Sequence, residues 1–333
     1  MSWGWVMTTP KSVTASTSRR KSRTSRTFQG KTQALADALV ESIQGLRDYW
    51  PLTVRQVYYQ MVAGLVVENN VGQYKRVSDI LNTLRVNGTV PWSAIEDRTR
   101  RTIDKRGHED HISWLQSQFE FFADYKIYGR CLVQDQDIYV EVTTEKDALS
   151  SIMEDAIWCY CTRLNVIRGQ NSASLQHKIA ENFKRAVERG QKPVLLHFGD
   201  LDPSGVAIPK AMKRTFLDDH GVDVDVRRVA LTPEQVKQYH LPSDPDAAKK
   251  TDSNYKSFVY EYGEGQHAVE LDALHPQDLR DLLRSTLKST YDMESFNAEA
   301  ERELQEREII KSVRRETEDF LVERFPHIFG GAR

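Results

Sequence analysis

The sequence predicts a bipartite fold, mostly α at the N-terminal end and α/β after it: a winged-helix domain, a domain on a parallel sheet, and a helical C-terminus. Three observations predict it. Apolar residues recur at three- and four-residue spacing through the first third, which is the period of amphipathic helices. Strand-sized apolar runs then alternate with helical stretches, the pattern of a sheet with crossover helices. Charge also divides along the chain. Residues 1–130 carry 19 Lys and Arg against 12 Asp and Glu, whereas residues 131–333 carry 27 against 36, so a net charge of −2 hides a basic part joined to an acidic one. That division suits a nucleic-acid grip attached to a carboxylate-bearing module.

Composition narrows the class further. At 333 residues and 39 % hydrophobic content the chain has enough apolar surface for two cores. No apolar run approaches the ~18 residues of a membrane span. Three cysteines without CxxC spacing (Cys131, Cys159 and Cys161) make neither a disulfide framework nor a zinc finger. A cytoplasmic, reducing setting is the expectation, with no membrane partner.

Residues 1–31 hold seven basic residues and no acidic one, are rich in Ser and Thr, and lack apolar periodicity, so a disordered basic tail is expected there. An organelle transit peptide is the alternative for such a composition. A winged-helix domain is expected over 32–130. Leu35, Leu39, Ile43 and Leu46 mark its first helix. Thr53 and Gln56 have capping-box spacing and start a second helix running to about Ala63, where Gly64 stops it. A third helix over about 73–86 places Val77, Ile80, Leu81 and Leu84 on one face. Asn87-Gly88 then reads as a tight turn into a short β-ribbon over 89–92, the wing.

The α/β part is expected over 131–290. Its strands are 138–142, 164–168, 194–198 and 222–230, its helices 146–160, 172–189 and 205–218. A short strand follows at 268–271, and helices fill 276 to the end, with 291–333 forming a helical C-terminal segment. In such sheets functional groups gather where strands end. The first strand runs into Glu145-Lys146-Asp147-Ala148 and the third into Gly199-Asp200-Leu201-Asp202-Pro203-Ser204-Gly205. Carboxylates drawn into one crevice repel one another unless a hard cation neutralises them, which nominates Glu145, Asp200 and Asp202 as Mg²⁺ ligands. A helix cap plus a solvated aspartate is the plainer reading of Asp200 and Asp202. Glu141 shares the face of Glu145 by strand alternation but lies inside the strand, so Glu145 is preferred. Asp147 reads as a first-turn helix charge.

A second cluster is Arg55-Gln56-Val57-Tyr58-Tyr59. Tyr58 lies four residues from both Val54 and Val62 and belongs in the core. Tyr59 lies one turn from Arg55 toward the polar side, free to meet a partner. Making a phenolate at pH 7 costs about 4 kcal/mol, and a guanidinium one turn away lowers that cost.

Together the Arg-x-x-Tyr-Tyr helix, the Glu-Lys-Asp-Ala strand end and the Gly-Asp-Leu-Asp-Pro-Ser-Gly loop resemble the A subunit of topoisomerase VI and the meiotic double-strand-break transesterase, over roughly residues 50–290. The compact chain is most similar to the stand-alone Mini-A members. The resemblance implies a winged helix (CAP-like) carrying the nucleophilic tyrosine, Tyr59, with Arg55 beside it, and a Toprim domain whose Glu145, Asp200 and Asp202 hold Mg²⁺. Glu145 would also shuttle a proton. It further implies attack on a backbone phosphate of double-stranded DNA to leave a 5′-phosphotyrosyl link. A homodimer follows, with one protomer's tyrosine serving the other's metal. Lys75 and Arg76 would face the groove, with Arg98, Arg100 and Arg101 in or after the wing suited to phosphates. Topoisomerase VI works with a separate ATPase B subunit; this chain has no GxxxxGK[ST] loop, so such a partner would be encoded elsewhere. A hydrolytic Toprim nuclease and a duplex-binding protein with little cleavage are the alternatives.

Overall fold

A computed structural model of the chain describes residues 27–96, 107–167, 172–242, 251–263 and 268–330. Of the expected disordered tail, residues 1–26 lie outside the described residues, as do Arg98, Arg100 and Arg101, but Gly30 and Lys31 at its end open the first helix.

The N-terminal part is a packed group of three helices: α1 (Gly30–Gly45), α2 (Val54–Ala63) and α3 (Val71–Val86). The predicted capping box starts α2: Thr53 Oγ1 accepts the Gln56 N–H at 3.3 Å while Gln56 Oε1 accepts the Thr53 N–H at 2.7 Å. Such a cap is worth about 1 kcal/mol. Leu39, Ile43, Val57, Val62, Val77 and Leu81 meet in one core, each contributing roughly 1.5–3 kcal/mol of burial. Tyr58 joins that core as expected, and its hydroxyl accepts the Asn70 N–H at 2.8 Å.

The predicted ribbon over 89–92 does not form. Asn87-Gly88 closes α3 instead of turning a hairpin: the Asn87 N–H bonds the Thr83 carbonyl and the Gly88 N–H that of Arg85. Asn87 Oδ1 then accepts the Thr89 N–H, and Pro91 leads into a short 3₁₀ turn, Trp92–Ala94. One parallel bridge, Leu52 with Ile95, is the β-pairing in this part among the described residues.

The second part is a four-stranded parallel sheet in the order β2-β1-β3-β4, formed by β1 (Ile138–Thr144), β2 (Arg163–Val166), β3 (Lys192–Phe198) and β4 (Asp225–Ala230). One face is covered by α5 (Ser150–Ile157) and α10 (Pro276–Thr290) over Val140, Val142, Leu196 and Phe198. The other is covered by α6 (Ala173–Glu188) and α7 (Pro203–Asp218) over Leu195. This is the α/β architecture predicted, with element ends shifted by a few residues. From β1 the chain moves to one side, to β2; from β3 it moves to the other, to β4. The order therefore reverses between β1 and β3, and a crevice opens beyond their carboxyl ends.

The remaining helices are α8 (Pro233–Gln238), α9 (Tyr255–Tyr262), the long α11 (Met293–Arg324) and α12 (Pro326–Phe329), with α4 (His111–Phe121) between the two parts. The predicted strand over 268–271 shrinks to one antiparallel bridge, Val269 with Leu201, before the chain turns at Leu271–Ala273. Residues 111–130 pack on the C-terminal helices rather than on the three-helix core. Gln116 donates to the Ile328 carbonyl at 2.6 Å and Tyr128 to Glu306 at 2.5 Å, while Arg130 pairs with Glu299 and Glu306. Among the described residues no helix is long and apolar enough to cross a membrane.

Candidate active site

The register pairs Thr144 with Phe198, so Glu145 and Gly199 leave the sheet side by side at the point where strand order reverses. Gly199 is required there: a Cβ on it would stand 2.6 Å from His197 Nε2 and 3.1 Å from Glu145 Oε1. Gly205, in the first turn of α7, is pressed as closely, since its Cβ would meet the Asp200 carbonyl at 2.4 Å. These two glycines let the acidic loop fold tightly over the strand end.

Glu145 Oε1 accepts the Asp200 N–H at 2.7 Å, and Asp200 Oδ1 accepts the Leu271 N–H at 2.8 Å. Arg228 donates to the Asp200 carbonyl at 2.7 Å. Asp202 turns away to cap α7, accepting the Gly205 N–H at 2.6 Å, so the plainer reading describes its resting role. Burial pushes the Glu145 and Asp200 carboxyls above their usual range, and each is pushed further by an acidic neighbour, Asp202 for Glu145 and Glu145 for Asp200.

Lys146 reaches into the same crevice. Its Nζ lies 2.6 Å from Asp200 Oδ2, 3.4 Å from Glu270 Oε2 and 3.6 Å from Asp272 Oδ2. Burial opposes the Lys146 charge, but these carboxylates outweigh it and hold the ammonium protonated. Across the crevice stands α2. Arg55 pairs with Glu270 and, through Nε at 3.1 Å, with the fully buried Asp272. Tyr59 stands beside Arg55, whose guanidinium lies 5.7 Å from the ring centre, and the Glu270 charge reaches its phenol.

Arg55, Glu270, Asp272, Lys146, Asp200 and Glu145 are thus linked within one chain, with Tyr59 beside Arg55, whereas the resemblance implies that one protomer's tyrosine serves the other's metal. Of the predicted residues, Arg55, Tyr59, Glu145 and Asp200 come together here. Lys75 and Arg76 do not: they line a separate recess with Phe28 and Thr32, and Arg76 lies 3.4 Å from the Thr32 hydroxyl.

Two expectations about Tyr59 need correction. The ring is buried, with 7 % of its surface exposed, packed edge-on against Tyr58 at 5.3 Å rather than free on the polar side. Its phenol lies above its ordinary value, not below. Burial is the main cause, the Glu270 carboxylate adds to it, and Arg55, already engaged by Glu270 and Asp272, offsets only part. Its neighbours are less enclosed: the Glu270 and Arg55 side chains are 32 % and 42 % exposed.

The three predicted Mg²⁺ ligands fit the ion in donor type but not, as folded, in arrangement. Their oxygens are the hard donors Mg²⁺ takes. Among the described residues, however, no three His, Cys, Asp or Glu side chains converge on a point where an ion would sit. Asp202 is spent on its helix cap and Asp200 on Lys146, whose ammonium stands against the acidic loop.

Glu270, Asp272 and Lys146 received no role from the sequence. Glu270 and Asp272 share the acid-x-acid spacing of Asp200 and Asp202 and follow a short apolar run, which is the signal that was there to read. Glu141 is the contrasting case: it is fully buried and bound by Tyr139, Asn165 and Asn182, as a structural carboxylate should be. No family model and no curated protein matches the chain.

Proposed function

We propose that the protein is a DNA-breaking transesterase in which Tyr59 attacks a backbone phosphate, as the resemblance to the topoisomerase VI A subunit implies. The observation that carries this reading is the meeting of α2 with the reversal point of the parallel sheet. It sets the phenol and guanidinium of α2 beside an ammonium and acids that lie far from that helix in sequence.

A phosphodiester entering the crevice would draw Arg55 and Lys146 to its non-bridging oxygens, and their charge would stabilise the oxyanion as the new bond forms. The Tyr59 oxygen then forms a bond to phosphorus as its proton passes to water, and the bond to the 3′ oxygen breaks, that oxygen leaving with the electron pair and taking a proton from water. The result is a 5′-phosphotyrosyl link and a free 3′-hydroxyl, and reversal reseals the strand. A duplex break needs two such tyrosines, so the working form on this reading is a homodimer on double-stranded DNA, with any ATPase B-type subunit supplied separately. Lys75 and Arg76 on α3 supply sequence-independent phosphate contacts.

The test is incubation with supercoiled plasmid, with and without Mg²⁺, then denaturation and protease digestion. Protein bound covalently to 5′ ends and abolished by Tyr59→Phe supports the reading. Cleavage indifferent to that substitution indicates hydrolysis, and retardation without cleavage indicates a binding protein; either outcome contradicts it.

A further inference from the structure

Lys146, the residue after Glu145, turns its ammonium inward: its side chain is 17 % exposed, and Nζ faces three carboxylates from two distant segments of the chain. Asp200 comes from the loop after β3, at 2.6 Å; Glu270 and Asp272 come from the turn after the Val269–Leu201 bridge, at 3.4 Å and 3.6 Å. The Leu271 N–H on Asp200 Oδ1 ties loop and turn together, so the three acids are held around that one ammonium. Asp272 is the most exacting of them. It is buried, neither of its carboxylate oxygens has a hydrogen bond, and its charge is answered by Lys146 and by Arg55 Nε at 3.1 Å. A buried carboxylate without hydrogen bonds needs a counter-charge beside it.

We propose that Lys146 is the resting counter-ion of a cation seat formed by Asp200, Glu270 and Asp272, a seat that a hard divalent cation takes only as the ammonium leaves. As folded, the three oxygens bracket an ammonium rather than a metal. Mg²⁺ takes oxygens at about 2.0–2.1 Å and Ca²⁺ at about 2.3–2.6 Å, so the acids must close in before an ion is held. Two positive charges on one Asp200 oxygen repel each other, so Lys146 and an ion exclude one another there. Nor does Lys146 leave alone, because its departure strips Asp272 of half its counter-charge. Departure and entry are therefore one exchange. This is why the acidic strand ends do not converge in the resting protein: the lysine already answers Asp200. The freed ammonium, on its flexible four-carbon stem, is then available to an anion in the crevice. The exchange needs nothing from Tyr59 and goes beyond the function proposed above.

The experiment titrates the full-length protein and Lys146→Met with Mn²⁺, following free ion by electron paramagnetic resonance, and with Mg²⁺, following the thermal unfolding midpoint. Removing the competing ammonium should tighten Mn²⁺ binding by about tenfold or more, the direction set by losing a like charge at contact distance. The variant's midpoint should fall without an ion and recover with Mg²⁺, while the wild type moves little. Asp200→Asn in the Lys146→Met background should remove the gain in Mn²⁺ affinity. A further measurement needs no variant: labelling of wild-type amines with an acylating reagent, mapped by mass spectrometry, should modify Lys146 at least about threefold faster in millimolar Mn²⁺ than without it. Should Lys146→Met fail to fold, that labelling decides. The proposal is overturned by Mn²⁺ affinities within about threefold of each other, by weaker or absent binding in the variant, by a gain that survives Asp200→Asn, or by Lys146 labelling that the ion leaves unchanged or slows. None of these readouts involves DNA, so failure of the exchange and failure of the Tyr59 chemistry are seen separately.

Discussion

Two carboxylates four residues apart, the fully buried Glu141 within β1 and the half-buried Glu145 at its exit, meet opposite environments. Glu141 accepts hydrogen bonds from three uncharged groups, the Tyr139 hydroxyl at 2.7 Å, the Asn165 amide at 2.7 Å and the Asn182 amide at 2.9 Å, and the exposed Arg163 guanidinium lies 3.7 Å away. Glu145 sits among Asp200, Asp202, Lys146 and Arg228, and its principal hydrogen bond is a loop N–H. The first is satisfied by its neighbours and holds β1, β2 and α6 together. The second belongs to a group whose like charges raise one another's protonation, the arrangement a fold tolerates where chemistry is done. What separates the two acids is the charge and completeness of their partners.

That contrast is most sharply tested by substituting the two kinds of acid. On the proposed function, Asp200→Asn releases Lys146 from the crevice and is expected to slow adduct formation roughly a hundredfold, the scale of losing one well-placed charge. Its stability should change by no more than about 1 kcal/mol, because the amide oxygen can keep the Leu271 N–H and a repulsion with Glu145 disappears. Plasmid assays and urea unfolding on the same preparation check both parts. Glu141→Ala should do the opposite. It strands the amides of Asn165 and Asn182 and the Tyr139 hydroxyl, and should cost about 3 kcal/mol in urea unfolding, with the adduct rate per folded molecule unchanged.

A smaller effect comes from His197, fully buried on β3 and bonded through Nδ1 to the Thr143 hydroxyl at 3.0 Å. Burial pulls its imidazole down to about 3, with Arg228 adding to the effect. Because the folded value lies below the unfolded one near 6.5, protonation favours the unfolded chain. The stabilisation is complete above about pH 6.5 and is lost as pH falls toward 3, amounting to about 2 kcal/mol by pH 5. His197→Gln should flatten that acid limb in unfolding measured from pH 7 to pH 5. Smallest is Lys75→Ala on the exposed face of α3, which should lower the slope of log affinity against log salt by about 1 and leave the adduct chemistry intact, as read by anisotropy titrations.

How much was legible in the sequence follows from the range of the interactions. Short-range signals carried α2: the Thr53 and Gln56 cap, the Gly64 stop and the division of labour between Tyr58 and the rest of its face are local. Strand alternation and the two acidic strand ends placed Glu145 and Asp200 correctly at the crevice, since parallel topology fixes where strands end. The ribbon failed because Asn-Gly serves a helix end as readily as a hairpin, and residues beyond it, not the dipeptide, decide between them. The burial of Tyr59 was illegible for a different reason. Helix periodicity assigned it to the polar side of α2 by counting neighbours on its own helix, whereas α2 also packs against the turn Leu271–Ala273, more than two hundred residues later in the chain. Glu270 and Asp272 could be noticed as an acidic pair, but their partnership with Arg55 exists only once the two parts of the molecule are packed.

The most direct measurement is mass spectrometry of the protein–DNA adduct after nuclease and protease digestion. The account predicts a single modified peptide, the one from α2, carrying a nucleotide through its 5′ phosphate on Tyr59. An adduct on any other residue, or DNA ends cut by this protein and bearing no peptide, contradicts it.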